Sequence, residues 1–251
     1  MKTSRLLIDG DILTYRTCWA CQTEVQWDDG IVTTATNLKE LEVQAEQSLR
    51  YWQEKLGVSE YVIAFSDPRG RYFRHAILED YKGNRKSTRK PLGYKHLVKH
   101  LKANHTSMVL PELEADDVLG ILATDGTYSR NVIVSIDKDM LTIPCEYFNM
   151  DSEVTETVTE TLADYMHLYQ TLTGDTTDNY KGCPSVGPKK AAEILRSNDN
   201  VPFNGWSRVV QAFNKAKLTA ADALVQAQVA RILRADDYDF TREEVILWNP
   251  A

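Results

Sequence analysis

The chain has 251 residues, 43% of them hydrophobic, 36 Asp and Glu against 29 Lys and Arg, a net charge of −7, and four cysteines. That length carries one large domain or two small ones with a real core, and the composition excludes a disordered, collagen-like or disulfide-rich chain. Three apolar residues separate the first basic residues from Asp9, and no run approaches the roughly 20 apolar residues of a membrane span, so no signal peptide and a soluble, cytoplasmic protein without membrane contact are expected.

The first predicted element is a strand, RLLID, ending in Asp9-Gly10-Asp11, followed by a helix over Ile12–Gln22. Cys18 and Cys21 fall in that helical stretch as C-x-x-C. With no second close pair, packing is the reading preferred over zinc. VQW and IVTT flank Asp28-Asp29-Gly30, the turn chemistry of a hairpin. Leu38, Leu41, Ala45, Leu49, Trp52 and Leu56 recur at helical spacing up to Gly57, which predicts a helix ending at a C′ glycine. A second buried strand, YVIAFSD, ends in Asp67.

The next stretch is basic. From Arg69 to Lys102 stand Arg69, Arg71, Arg74, Lys82, Arg85, Lys86, Arg89, Lys90, Lys95, Lys99 and Lys102 against Glu79 and Asp80 alone. A charge run is ordinarily a solvated face. Here Tyr72, Phe73, Tyr81 and Tyr94 interleave with the cations and add stacking surface, which favours a nucleic-acid partner despite the acidic total. A helix is predicted from Tyr94 to Ala103. His75, His96, His100 and His105 show no metal-ligand spacing and are read as solvated residues of the basic face.

EADDVLGILAT begins an acidic helix, and NVIVSIDKD is a third β-rich run ending in acids. Strands alternating with helices predict an α/β fold with a parallel sheet and a site at the carboxyl ends of its strands. From about Thr161 the pattern is helical throughout: LADYMHLYQTLTG, KKAAEILRS, GWSRVVQAFNKA and AADALVQAQVARILRA. The expected organisation is a core over residues 1–160, with the basic region at about 82–105, and a helical part over 161–251 resting on it.

Nine acids stand at strand ends and helix starts: Asp9, Asp67, Glu114, Asp116, Asp117, Asp137, Asp139, Asp175 and Asp178. Any one of them is unremarkable as a cap or turn residue. Together their spacing permits convergence, because Asp137 and Asp139 share one side of a strand, and residues three apart share a helical face. Carboxylates gathered without cations repel one another, whereas oxygen ligands suit Mg²⁺ or Mn²⁺, and a pair of ions serves in-line phosphodiester hydrolysis. Without the nine, 27 acids face 29 Lys and Arg, so the rest of the chain is mildly basic, as a binder of a polyanion should be.

LIDGD, YKGNRK, LEADDVLG, SIDKDML and GDTTDNYKGCPSVGPKKA, in this order and at these separations, resemble the 5′-nuclease family of flap endonucleases, phage 5′→3′ exonucleases and the amino-terminal nuclease domain of bacterial DNA polymerase I. The resemblance covers roughly residues 5–195. It implies a mainly parallel sheet flanked by helices, a helical arch, and a helical carboxyl-terminal part with a helix-two-turn-helix. The implied activity is 5′→3′ exonuclease or flap endonuclease cleavage of DNA with two Mg²⁺ or Mn²⁺ ions, by a monomer. Asp9, Asp67, Glu114, Asp116, Asp137 and Asp139 then form the metal-binding heart, with Asp117, Asp175 and Asp178 completing the second-metal side. Lys82 and Arg85 become the catalytic pair at the base of the arch, and Arg74, Lys86, Gly187, Lys189 and Lys190 become DNA contacts. GCPSVGPKKA matches the family's two-turn segment, which is also similar to a potassium site built from backbone carbonyls; Ser185 departs from the glycine usual there. By itself that segment equally suits an ordinary helix start with Pro188 in its first turn.

Two other readings remain. Asp9-x-Asp11 after an apolar strand also suits a haloacid-dehalogenase-type phosphatase with Asp9 as nucleophile, which leaves the basic segment and GCPSVGPKKA unused. A non-catalytic DNA-binding replication protein would need the acids to have lost their metals. A PIN-type ribonuclease shares the acid cluster but is usually smaller and lacks the two-turn segment.

Overall fold

A computed structural model describes residues 3–85, 89–196 and 205–250. The first half forms β1 (Arg5–Asp9), α1 (Gly10–Ala20), a hairpin of β2 (Gln22–Gln26) and β3 (Val32–Thr36), α2 (Leu38–Leu56), β4 (Tyr61–Ala64), the short α3 (Arg74–Ile77), α4 (Tyr94–Asn104) and β5 (Ser107–Met108). Then follow α5 (Ala115–Ala123), β6 (Asn131–Ser135), a 3₁₀ turn (Lys138–Thr142), β7 (Glu146–Asn149) and β8 (Thr155–Thr157). The helices α6 (Glu160–Thr173), α7 (Pro188–Leu195), α8 (Gly205–Lys215) and α9 (Ala220–Ala230) precede a small pair, β9 (Tyr238–Asp239) and β10 (Glu244–Val245).

Six strands make one sheet in the order β5-β4-β1-β6-β7-β8, parallel except for β8, which runs antiparallel to β7. β1 and β6 are buried along their whole length, as expected of strands covered on both faces. Alternation along β1 divides the core. Leu6 and Ile8 join Leu41, Leu49, Leu97 and Leu101 beneath α1, α2 and α4, while Leu7 joins Ile133, Val118 and Leu122 beneath α5. β1 lies between β4 and β6, so the chain leaves it first to one side and later to the other. The crevice at such a switch point opens at the carboxyl ends of these strands, beside Asp9 and Asp137.

The helix ending at Gly57 forms as expected, with Asn37 as its cap and Gly57 left-handed at φ 64. Cys18 and Cys21 are buried in the core, in keeping with a packing role. Three expectations are corrected. The helix at Tyr94–Asn104, expected within the arch, is a core helix: Leu97 and Leu101 are fully buried against α1 and α2. The last helical pattern stops at Ala230, because Ile232 and Leu233 run extended beneath α5, where Leu233 N–H donates to Asp117. His100 and His105 are largely buried and His96 is partly exposed, and rather than forming a free basic face all three meet Glu42 and Glu46 of α2.

Candidate active site

Each acid in the cleft is placed by a local device. Asp9 ends β1 and caps α1, its carboxylate accepting from Ile12 N–H at 3.0 Å and from the Ser135 hydroxyl at 2.7 Å. Glu114 caps α5, so Asp116 and Asp117 enter that helix's first turn. Asp137 follows β6 and accepts from the Asp139 N–H at 2.9 Å; this turn, rather than strand alternation, brings the two acids to one side.

Asp175 and Asp178 come from a loop closed on itself. Asp175 and Tyr180 exchange backbone hydrogen bonds of 2.9 and 3.0 Å, and Gly174 and Gly182 pass backbone against backbone at φ 68 and 63. A Cβ on Gly174 would stand 2.5 Å from the Lys181 carbonyl carbon, so only glycine permits this crossing.

The loop Tyr81–Arg85 forms the opposite wall and is clipped to the 175–180 loop. Lys82 N–H donates to the Asp178 carbonyl at 2.9 Å, Asn84 to the Thr176 carbonyl at 2.6 Å, and Asn179 to the Asp80 carbonyl at 2.7 Å. Lys82 stands at φ 56, with its ammonium against Glu114 and 3.5 Å from Asp178. Arg85 donates to the other Asp178 oxygen. Lys82, Arg85, Asp116, Asp137, Asp139, Asp175 and Asp178 thus line one cavity of about 460 Å³.

Electrostatics reflect this crowding. Burial pushes the Asp9 carboxyl up to about 7, with the charges of Asp11 and Asp137 adding to it. Asp139 is held at about 7 by burial and by Asp137, Asp175 and Asp178. Asp116 lies well above the carboxylate range through burial and the charges of Asp9, Asp137 and Glu114. No donor is found against the Asp116 carboxylate among the described residues. These oxygens, short of protein cations, fit a hard divalent ion.

Other expected residues lie elsewhere. The Asp67 carboxylate is spent on Arg69 and the Glu112 N–H, and Arg69 holds it well below the usual range. It stands apart from the cluster's mutual repulsion. Asp117 is corrected as a ligand candidate: it is fully buried, accepts from Arg74 at 2.6 and 2.7 Å, and takes the Glu114 and Leu233 N–H groups, which leaves no free direction for an ion. Arg74 is corrected as a DNA contact. It is 3% exposed and donates to Asp117, Glu114 and the Val229 and Arg231 carbonyls, so no phosphate can reach it.

Gly187, Lys189 and Lys190 are exposed at the start of α7, while Lys86 lies outside the described residues. Sequence reasoning missed three supporting residues, Ser135 behind Asp9, Tyr81 and Gln170. The Tyr81 phenol stands 2.8 Å from a Glu114 oxygen and 2.9 Å from an Asp178 oxygen, with one proton to share between them, and Gln170 donates to Asp139 at 2.6 Å. Tyr81 adjoins Lys82 in YKGNR, a signal that could have found it; Gln170 gives none beyond lying one turn before Gly174.

The chain is similar to known nucleases in sequence and in fold. Over 98% of its length the chain is 28% identical to the exodeoxyribonuclease of Enterobacteria phage T3 and 29% identical to the exonuclease of Escherichia phage T7, covering 92% and 93% of those proteins. Its fold matches bacteriophage T5 flap endonuclease, solved as a pseudo-enzyme-product complex with DNA and metal ions, with a TM-score of 0.62 over 89% of each chain; at 15% identity the likeness is one of fold. Residues 4–167 match the family described as 5′-3′ exonuclease, N-terminal resolvase-like domain, and the chain belongs to that family.

Proposed function

We infer that the chain is a 5′→3′ exonuclease and flap endonuclease acting on DNA, and that its hydrolysis is metal-assisted in the cleft between the strand ends and the Tyr81–Arg85 loop. The observation that carries the mechanism is the convergence in one cavity of acids from three separate segments, Asp116 of α5, Asp137 and Asp139 after β6, and Asp175 and Asp178 of the glycine-closed loop, together with Lys82 and Arg85. Asp9, Asp116, Asp137, Asp139, Asp175 and Asp178, with Glu114, would hold two Mg²⁺ or Mn²⁺ ions. Bound there, such ions lower the pKa of water and polarise phosphate oxygens.

The chain's own residues do the rest. Gln170 and Ser135 fix the rotamers of Asp139 and Asp9 by donating to them. Tyr81, whose phenol burial keeps protonated, orients Glu114 and Asp178. Lys82 and Arg85 line the same cavity, paired with Glu114 and Asp178, and from there their charge would meet a scissile phosphate and stabilise the charge developing on it. Asp67 has its carboxylate engaged by Arg69 and takes a supporting role in this reading, holding the Glu112 turn that precedes Glu114.

α6, the loop through Gly174 and Gly182, and α7 support a helix-two-turn-helix. The exposed Gly187, Lys189 and Lys190 at a helix start would take a DNA phosphate through backbone N–H groups and ammonium charge. A potassium ion at this turn would compete with Lys190, whose Nζ donates to the Ser185 carbonyl at 3.2 Å, so none is proposed. Packing of α6 through α9 around Leu172, Val209 and Phe213 supports a helical part beginning near residue 160. The phosphatase reading is disfavoured because Asp11 already accepts from Ser66 N–H and the Tyr94 hydroxyl, both at 3.2 Å.

Cleavage of end-labelled flap, nicked and blunt duplexes with Mg²⁺ and with EDTA tests the reading, and product lengths give the balance of exonuclease and endonuclease action. Asp139→Asn is expected to lower the rate by orders of magnitude while DNA binding survives. Cleavage by that variant at the parental rate would remove Asp139 from the site.

A further inference from the structure

α4 lies along α2 with its histidines turned toward that helix's acids. Glu42 and Glu46 are one turn apart on α2, as are His96 and His100 on α4, so they meet in two rungs, with His96 Nε2 2.9 Å from Glu42 Oε1 and His100 Nε2 3.2 Å from Glu46 Oε1. His105, just past the end of α4, brings its Nε2 to the same Glu46 oxygen at 2.7 Å. One carboxylate oxygen therefore faces two imidazole nitrogens. A ligand atom from each of the three residues lies within 4.8 Å of the other two.

Zinc bonds of about 2.0–2.2 Å to nitrogen and oxygen place tetrahedral ligand atoms roughly 3.4 Å apart, a spacing these groups reach with small movements. The far sides of the rings are also held. The Tyr61 hydroxyl is 2.8 Å from His105 Nδ1 and Glu42 Oε1 is 3.5 Å from His100 Nδ1; the Asn104 amide nitrogen, a donor 3.3 Å from His100 Nδ1, must give way to Glu42 for His100 Nε2 to ligate. An acceptor behind the non-ligating nitrogen fixes the ring and frees Nε2 for an ion. The side chains of His105, His100 and Glu46 are 8%, 19% and 35% exposed, so one side stays open to solvent.

We propose that Glu46, His100 and His105 form a zinc-type transition-metal site, with water completing its shell. None of these residues lines the acidic cleft. Tyr61 begins β4 and His105 precedes β5, which puts the site at the amino end of the parallel strands, opposite the acids. Its chemistry differs as well: two imidazoles favour zinc, whereas the all-oxygen cleft favours Mg²⁺. A bound ion cross-links α2 to α4, the helix that carries Lys95, Lys99 and Lys102, and thereby fixes the base of the basic patch.

The test is zinc titration of the metal-free chain against a chromophoric chelator, with millimolar Mg²⁺ present throughout because carboxylates also take zinc. One zinc per chain is expected to resist Mg²⁺. His100→Gln, His105→Gln and Glu46→Gln should each lose that equivalent, and Tyr61→Phe should weaken it about tenfold or more. Zinc-edge X-ray absorption of the parental protein should show two imidazole ligands, a readout independent of how any variant folds. A parental chain that holds no zinc against Mg²⁺, a shell of oxygen alone, or equal retention in the three ligand variants overturns the proposal.

Discussion

Arg74 grips Asp117 with both terminal guanidinium nitrogens, at 2.6 and 2.7 Å, and the two side chains are 4% and 0% exposed. The pair ties the turn after Phe73 to the first turn of α5 and, through the Val229 and Arg231 carbonyls, to the chain leaving α9. It is an interior brace between segments more than a hundred residues apart.

Arg74→Ala should therefore act on stability. Removing one partner strands a buried carboxylate, which costs about 3–5 kcal/mol. Chemical denaturation measures it, and a loss under about 1 kcal/mol would contradict the bracing role. In the fraction that folds, the salt dependence of DNA binding should match the parent, since Arg74 meets no phosphate.

Asp9 and Asp139, held at about 7 against an ordinary 3.8, make metal binding and stability depend on pH. Their folded-state pKa values are raised, so the metal-free fold keeps protons that the unfolded chain has released, and it loses stability as pH climbs from about 4 to about 7. A divalent ion must displace those protons, so its affinity rises over the same window. The gain in melting temperature from Mg²⁺ relative to EDTA should be larger at pH 8 than at pH 6. A gain that shrinks with rising pH would speak against a converged site.

Lys82 and Arg85 should differ in kind from Lys99. The first two are fixed in the cleft wall, while Lys99 is exposed on α4. A cation aimed at charge that develops in the transition state is worth roughly 3 kcal/mol, about a hundredfold in rate. In single-turnover cleavage at saturating enzyme, Lys82→Ala and Arg85→Ala should remain slow and Lys99→Ala should recover to near the parental rate. Recovery of all three together would reassign Lys82 and Arg85 to binding.

Lys189 and Lys190, exposed at the start of α7, should hold DNA by its phosphates and read no bases. Replacing both with Ala should weaken binding alike for every sequence and reduce the slope of log K against log salt by roughly 1 to 2. An unaltered slope would leave this segment as an ordinary helix start.

Much of the frame was legible without coordinates. The apolar runs RLLID and NVIVS read as strands of a parallel sheet, the Leu38–Leu56 periodicity as an amphipathic helix, and the acids at the ends of those strands as candidates to gather where the strands end, which Asp9 and Asp137 do and Asp67 does not. The family motifs then located the Tyr81–Arg85 and Gly174–Ala191 segments. Strand and helix periodicity, cap chemistry and turn glycines act over a few residues, which is why a linear pattern carries them.

Tertiary structure alone decided which of several similar side chains does what. In sequence Arg74 and Lys82 are two cations of one basic run, and Asp116 and Asp117 are adjacent acids. In the fold Arg74 turns inward to cancel Asp117, while Lys82 and Asp116 turn to the cleft. Glu46 lies 54 residues from His100 and 59 from His105, a separation no local pattern encodes. The fate of a buried charge is set by the partner that packing delivers, because an unpaired charge in the interior costs several kcal/mol and a partner offsets much of that cost. Local propensity builds the elements. Only their packing against one another determines which charges are neutralised inside the protein and which remain free to meet a metal or a phosphate.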